Sequence, residues 1–361
     1  MKVTTRALKL AAAGLGAAAL LAAAGCTGED ASPKAELEQA LAQLSAAKSY
    51  AFQSTATFKE LQLPKPAADE AEKTEGQPDL SALMAELTKG MTIQMDGIYQ
   101  REPMRTDANV KLTLPSAPME LTLPMIMTGD KVYLQVPDLI PTELAGKYVV
   151  IDSKKLAQEK GEPMQQLDPS VQQRLLLEAG AAFMKPFEEK TYFKSLKPDE
   201  ANLPQGVEAD SIVQFQADGA AGDQAMALVA EQALPAVLDV VLANEAYLQA
   251  LGLDKAEAEA SRKELADPNS ELSKQLREQL KLEQVKLIGA IKDGKLAYQS
   301  MDLNAAYTDP QGADSFKAVL SGTTTYSKLD EPAAFTQEIP ADAQPIGTLA
   351  EALGAAAPPA R

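Results

Sequence analysis

Histidine and tryptophan are absent from this chain of 361 residues, and cysteine occurs once, at Cys26. The missing histidine removes the commonest general base, the Ser-His and Cys-His nucleophile pairs, and most zinc sites. Positive charge is also short: 34 Lys and Arg stand against 51 Asp and Glu, a net charge of −17 at pH 7. Phosphates would be repelled, so nucleic acid is excluded as a partner, and polybasic docking to anionic lipid with it. The acid is spread along the chain and reads as a device for solubility at an anionic cell wall. Most enzyme classes are closed off before any motif is considered, and no cofactor is called for.

The single cysteine sits where it explains itself. Lys2, Arg6 and Lys9 form a positive start, Leu10 to Ala24 is an uncharged run of Ala, Leu and Gly, and Gly25-Cys26 closes it. The run is about fifteen residues where a bilayer span needs about twenty, so it is a secretory signal and not a spanning helix. The ending resembles the lipobox of bacterial lipoproteins, in which the cysteine sulfur takes a diacylglyceryl group and the chain is cut just before it. Ala23, Ala24 and Gly25 hold the three positions ahead of Cys26, with Ala23 where Leu is usual. A lone exposed thiol is a liability in an oxidising compartment, whereas a lipidated one is not. The alternative is a plain secreted protein with a stray thiol. The full chain carries −17, and Lys2, Arg6 and Lys9 put +3 on the removed segment, so the remainder carries −20. The sequence thus divides into a signal peptide over 1–25, a small polar tether over 26–33, a domain over 34–345, and a C-terminal tail over 346–361.

Within the domain the hydrophobic period changes repeatedly. Ala35 to Ala47 is an amphipathic helix with Leu37, Leu41 and Leu44 on one face. Ser49 to Leu63 reads as a strand. Residues 64–78 form an acidic, Pro- and Ala-rich loop, followed by a helix carrying Leu80, Leu83, Met84 and Leu87. Strict alternation then predicts an antiparallel meander over 91–100, 107–115, 118–128 and 131–136, with one wet and one dry face. Met91, Ile93 and Met95 share the dry face with Val110, Leu112 and Leu114, and Tyr148 to Asp152 adds a further strand. Asp168-Pro169 opens a long helix with Val171, Leu175, Ala179, Phe183 and Phe187 inward. Val207 to Ala217 returns to strand. Residues 218–280 form a helical elaboration whose stretch Ala220 to Leu251 is unusually apolar, with Pro235 kinking or restarting it. Further helices cover Asp254 to Leu265 and Ser270 to Leu282. A hairpin turning at Lys292-Asp293-Gly294-Lys295 and a strand over Phe316 to Leu329 complete the domain.

Three motifs suggest chemistry and fail. Gly289 to Leu296 approaches the phosphate-binding P-loop, but Leu296 replaces the Ser or Thr that would hold magnesium, and the Gly-Lys pair falls at a hairpin. Ser45-Ala-Ala-Lys48 matches S-x-x-K with no S-D-N or K-T-G after it. The acidic pairs Glu188-Glu189 and Asp199-Glu200 flank apolar helices and read as solvated faces, and no calcium-loop spacing occurs. The methionines are more informative. Met84, Met91, Met95, Met104, Met119, Met125 and Met127 gather in and around the meander, as core filling or as an adaptable lining for a ligand.

The segments LSAAKSYAFQSTATF (44–58), MDGIYQREPMRTDANVKLTL (95–114), GDKVYLQVP (129–137) and TTTYSKLDEPAAFTQEIPADA (323–343) resemble the LolA/LppX-type envelope lipoproteins. More closely they resemble an uncharacterised family of Gram-positive lipoproteins of that shape. The resemblance implies an α+β fold: a curved antiparallel sheet, a half-open barrel, with helices packed on its concave face. In the better-known carriers that cup holds acyl chains. Two functions stay open. One is a membrane-anchored, extracytoplasmic and non-catalytic module that binds a lipid or other apolar ligand. The other is a structural or interaction protein with a self-filled core and a protein partner. The membrane is met through the lipid on Cys26. For a ligand, the expected lining is Leu234, Val237, Leu238 and Val241 of the apolar helix, laid against Met91 and Met95 of the dry face, because water covers neither surface cheaply.

Overall fold

A computed structural model of the chain describes residues 32–62, 89–115, 119–139, 142–152, 154–155, 169–308 and 315–356. The signal segment, Cys26, the acidic loop 64–78 and the helix expected at Leu80 to Leu87 lie outside the described residues.

Helix α1 (Pro33–Ala46) begins where the sequence provides a cap: the Ser32 hydroxyl accepts from the Ala35 N–H at 3.3 Å, and Pro33 occupies the first turn. Leu37, Ala40, Leu41 and Leu44 recur at helical spacing and are buried together. The chain then enters β1 (Ser49–Gln62), followed by β2 (Met91–Gln100), β3 (Arg105–Leu114), β4 (Met119–Thr128), β5 (Lys131–Gln135) and β6 (Tyr148–Asp152). These are consecutive antiparallel partners, as the alternation predicts.

The helical half follows. Helix α2 (Pro169–Met184) buries Val171, Leu175, Ala179 and Phe183 on one face, with Phe187 just beyond its end. A short turn of helix, α3 (Glu189–Tyr192), leads into β7 (Phe193–Ser195), and another, α4 (Pro198–Ala201), precedes β8 (Ser211–Asp218). Then come α5 (Gly219–Leu228), α6 (Leu234–Ala243), α7 (Glu245–Leu251), α8 (Lys255–Leu265) and α9 (Glu271–Gln279). Between α5 and α6 the helix widens into one π turn, Val229–Ala233, in which the Leu234 N–H reaches back to the Val229 carbonyl. Pro235 supplies the reason, since its missing N–H cannot continue an α-helical ladder. The apolar stretch therefore runs on through the proline and breaks at Asn244, whose extended backbone and side-chain cap start α7. Asp254 and Ser270 cap α8 and α9.

Strands β9 (Leu280–Lys292) and β10 (Lys295–Tyr307) meet at Asp293 (φ 50°) and Gly294 (φ 72°), the two left-handed residues of a tight hairpin turn. This removes the P-loop reading of the same residues. After β11 (Phe316–Ser327) the chain crosses the sheet to β12 (Gln344–Pro345). The tail expected over 346–361 instead opens with helix α10 (Ile346–Ala356), whose Ile346 and Leu349 pack on Val136, Leu144 and Val149. Alanine, leucine and isoleucine make that segment a competent helix once an apolar edge is available.

The twelve strands among the described residues form one sheet in the order β12-β6-β5-β4-β3-β2-β1-β11-β10-β9-β8-β7, antiparallel except for the short β12–β6 pair. The sheet is open and curved, with helices on its concave face. Helix α1 lies across β7 to β10, α5 on β8 and β9, and α9 on β9. The main core is the space between these helices and that half of the sheet.

Candidate functional site: the open half of the concave face

Strand register fixes which side chains share the concave face. On β1 they are Tyr50, Phe52, Ser54, Ala56 and Phe58. Opposite them on β2 stand Tyr99, Gly97, Met95, Ile93 and Met91. Val110 and Leu112 of β3 face Met95 and Ile93, and Leu123 and Leu121 of β4 follow. On the other side β11 contributes Leu320, Gly322 and Thr324, and β10 contributes Leu303 and Met301. The same face continues onto β9 and β8, where Leu287, Val285 and Phe215 are fully buried under helices.

The apolar surface is therefore continuous across the sheet, but its cover by the described helices is not. Met91, Ile93, Met95, Val110, Leu112, Leu121, Leu123 and Met125 are each only half-buried. The expectation that Met91, Ile93 and Met95 are buried is corrected to that extent: they do share one face, and the described helices do not close over it. A hollow of about 250 Å³ opens here, between Ile93 and Met95 on one side and Met301 on the other. Its floor is made of small residues, Ser54, Ala56, Gly322 and Thr324. A Cβ on Gly322 would meet only the Thr55 carbonyl, at 3.5 Å, so the glycine leaves space without being required by its backbone.

Two structures bound this trough. At one end of β1 and β2 the rings of Tyr50, Tyr99 and Tyr326 gather, with centroids 4.9 Å and 5.8 Å from Tyr50. Phe52 stands edge-on to Tyr50 at 6.1 Å. Burial pushes the Tyr50 and Tyr326 phenols well above their ordinary pKa and raises that of Tyr99, so the cluster stays neutral. Arg101 donates to the Ser45 carbonyl and so caps the C-terminus of α1 beside them. At the other end α10 covers Leu134 and Val149. It is delivered there by a strap that runs over the convex face. In that strap Phe335 lies 4.3 Å from the Arg105 guanidinium, and the Gln337 backbone is held by Arg105 and by the buried Asp107. Arg105 in turn pairs with both Asp107 oxygens, at 2.7 and 2.9 Å.

The structure separates the two halves of the site expected from sequence. Met91 and Met95 line the open trough. Leu234, Val237, Leu238 and Val241 are buried inside the helical layer, where α6 packs on α2, α7 and α8 and not on the meander. The expected contact of that helix with the dry face is corrected. The apolar face of α2, with Val171, Leu175, Ala179 and Phe183, gives α6 its partner instead. The stretch Gln224–Ala243 is long and apolar enough to cross a membrane by composition, yet its buried side chains belong to this core. Sequence reasoning missed Met301, Ala56 and Gly322. The signal available was the glycine itself, since Gly in a strand interior often marks a place where something approaches the backbone.

No known family's sequence profile matches the chain, and no curated protein matches it. Among solved structures, LprF from Mycobacterium bovis aligns over 84% of this chain and 95% of its own, at 10% identity and a TM-score of 0.33. A bifunctional dehydratase-cyclase domain in ambruticin biosynthesis aligns over 80% of this chain and 78% of its own, at 10% identity and a TM-score of 0.11.

Proposed function

We propose that the protein is a membrane-anchored, extracytoplasmic lipoprotein that binds a lipid or another apolar ligand without chemistry. The observation that carries this reading is the partly exposed apolar trough of Met95, Ile93, Val110 and Leu112 with its small-residue floor. Apolar area removed from water is worth about 25 cal/mol per Å², so covering each partly exposed side chain returns at most on the order of 1 kcal/mol. Monomeric soluble proteins rarely leave such a contiguous patch open unless something covers it. Methionine suits a lining that must accept varied shapes. The lipobox-like ending at Cys26 supplies the address, and the absence of histidine is in keeping with binding over catalysis.

The test is extraction of the purified full chain followed by mass spectrometry of the organic phase. An enriched lipid is expected, and Met95→Asp is expected to lower its yield at least tenfold, since an unpaired carboxylate is costly in an apolar site. No enrichment over a control protein would refute the reading.

A second reading is favoured by a different observation. The β7–β10 half of the cup is filled by the protein's own helices, as in a structural protein that binds a partner through its outer surface. Crosslinking in cells distinguishes it: one dominant protein adduct, with no extractable lipid, supports this second function.

A further inference from the structure

Methionine is distributed unevenly over the two halves of the cup. On the open half, strand register places Met91 and Met95 of β2 and Met125 and Met127 of β4 on the concave face, and Met301 joins them from β10. All five are partly exposed. In the filled half, Met184 and Met226 are 2% and 8% exposed, inside the main core. Apolarity alone does not require methionine on the open face, since Val110, Leu112, Leu121 and Leu123 serve it equally. What separates a thioether from those side chains is its chemistry.

A thioether sulfur is a nucleophile toward two-electron oxygen donors such as peroxide and hypochlorite. Its lone pair attacks the donor oxygen and an S–O bond forms. With hydrogen peroxide the O–O bond breaks and water leaves; with hypochlorite the O–Cl bond breaks and chloride leaves. The sulfur gives up two electrons and the donor accepts them. The product sulfoxide is polar, and dedicated reductases return it to the thioether. Met95 and Met301 stand on opposite sides of the hollow of about 250 Å³, which is open to solvent, so an oxidant reaches both. The product also changes the surface most there. No charged side chain lines the hollow, and the Ser54 and Thr324 hydroxyls at its floor are bonded to each other at 3.0 Å. One amide on this face, Gln299, is left in the lining for the new S=O groups. A sulfoxide is well hydrated while the trough is open, and it loses that hydration when an apolar ligand covers it. Oxidation therefore penalises the covered trough and spares the open one.

We propose that Met95 and Met301 form an oxidation-sensitive release switch: two-electron oxidants outside the membrane convert them to sulfoxides, and the trough gives up its apolar ligand. The inference rests on the binding function proposed above and adds its regulation. It gives the open half a reason to carry methionine beyond adaptable packing.

The experiment treats the full chain in detergent with graded hydrogen peroxide, then adds a photoreactive diazirine palmitate. Peptide mass spectrometry maps both the crosslinks and the oxidised methionines. Met95 and Met301 are expected to oxidise about tenfold faster than Met184 and Met226. At a dose that spares the latter pair, crosslinks to β1, β2, β10 and β11 are expected to fall about fivefold with an unchanged circular dichroism spectrum. Methionine sulfoxide reductases A and B together are expected to restore them. The double variant Met95→Leu, Met301→Leu nearly keeps volume and apolarity, and is expected to crosslink within about twofold of the untreated parent both before and after peroxide. An untreated parent with no crosslink in the trough would sink the binding function itself, and this inference with it. Crosslinking that persists once Met95 and Met301 are oxidised would overturn the switch alone and leave methionine as adaptable filling. Equal oxidation rates for the trough and core pairs, or a peroxide-induced loss in the double variant as large as the parent's, would do the same. Should the double variant not fold, failure of the reductases to restore crosslinking decides against the switch.

Discussion

Gly97→Ala probes the packing that shapes the concave face. A Cβ built on Gly97 would stand 2.6 Å from the Asp107 carbonyl oxygen, 2.8 Å from Phe52 Cζ and 3.0 Å from Ala108 Cβ. The Phe52 ring could tilt, although Tyr50 lies against it. The carbonyl cannot move without shifting β3, and Asp107 carries the side chain that holds the strap. Overpacking of this kind costs about 1–3 kcal/mol. The reduced freedom of the unfolded chain returns about 0.4–1 kcal/mol, which leaves a net loss of up to about 2.5 kcal/mol. Gly129→Ala is the matched control, because nothing lies within 4 Å of its added Cβ. Guanidinium denaturation of both variants, with midpoint and slope fitted separately, checks the reasoning. A midpoint for Gly97→Ala equal to or above that of Gly129→Ala would refute it.

Three further outcomes are expected. Asp107→Asn breaks a pair whose acid is 5% exposed and should cost about 2–4 kcal/mol. It should also speed cleavage at Glu331 and Glu338 by a glutamate-specific protease, and an unchanged rate would mean that the pair does not hold the strap. Stability should fall as pH rises above about 10, because the unfolded chain then releases phenolic protons that the buried Tyr50 and Tyr326 retain. Below that pH both states hold them and no dependence arises from this source. The double variant Tyr50→Phe, Tyr326→Phe should flatten the alkaline slope in a denaturation series, and an unaltered slope would place the effect elsewhere. Cys26→Ala should move the protein from the membrane fraction to the medium or leave an uncut precursor; a variant that still takes up fatty acid and stays membrane-bound would end the lipoprotein reading.

The meander was fully legible in the sequence, because strict alternation at Met91, Ile93 and Met95 and again at Val110, Leu112 and Leu114 specifies both strand and face. The caps at Ser32, Asp254 and Ser270 and the turn at Asp293-Gly294 were legible for the same reason: each is a local signal with a local cause. Tertiary placement was not. The circumference of α6 is apolar whether its neighbour is a helix or a sheet, so periodicity could not choose between α2 and the meander. Helix α10 was read as tail because an Ala-rich segment declares no partner; β12 and the exposed end of β6 provide one. The trough was half legible. Met95 was found through alternation, while Gly322, Ala56 and Met301 come from strands distant in sequence and meet it only once β1 pairs with β11.

Chain topology explains why one half of the cup is filled and the other open. The described connections within β2 to β6 are turns such as 101–104 and 129–130, too short to hold a helix. The long helical stretch lies instead between β6 and β9, and the strands β7 and β8 that interrupt it belong to the far end of the sheet. Helices α5 and α9 are each joined directly to a strand of that half, β8 and β9 respectively, so they fold back over their own neighbours. Helix α1 packs on α2 and on strands β7 to β10, where its Leu37, Ala40, Leu41 and Leu44 join the main core. The apolar face of the meander is then left to whatever can reach it, and among the described helices only α10 does, at its far edge. On the binding function proposed above, an apolar ligand would cover that face and recover the free energy of removing it from water.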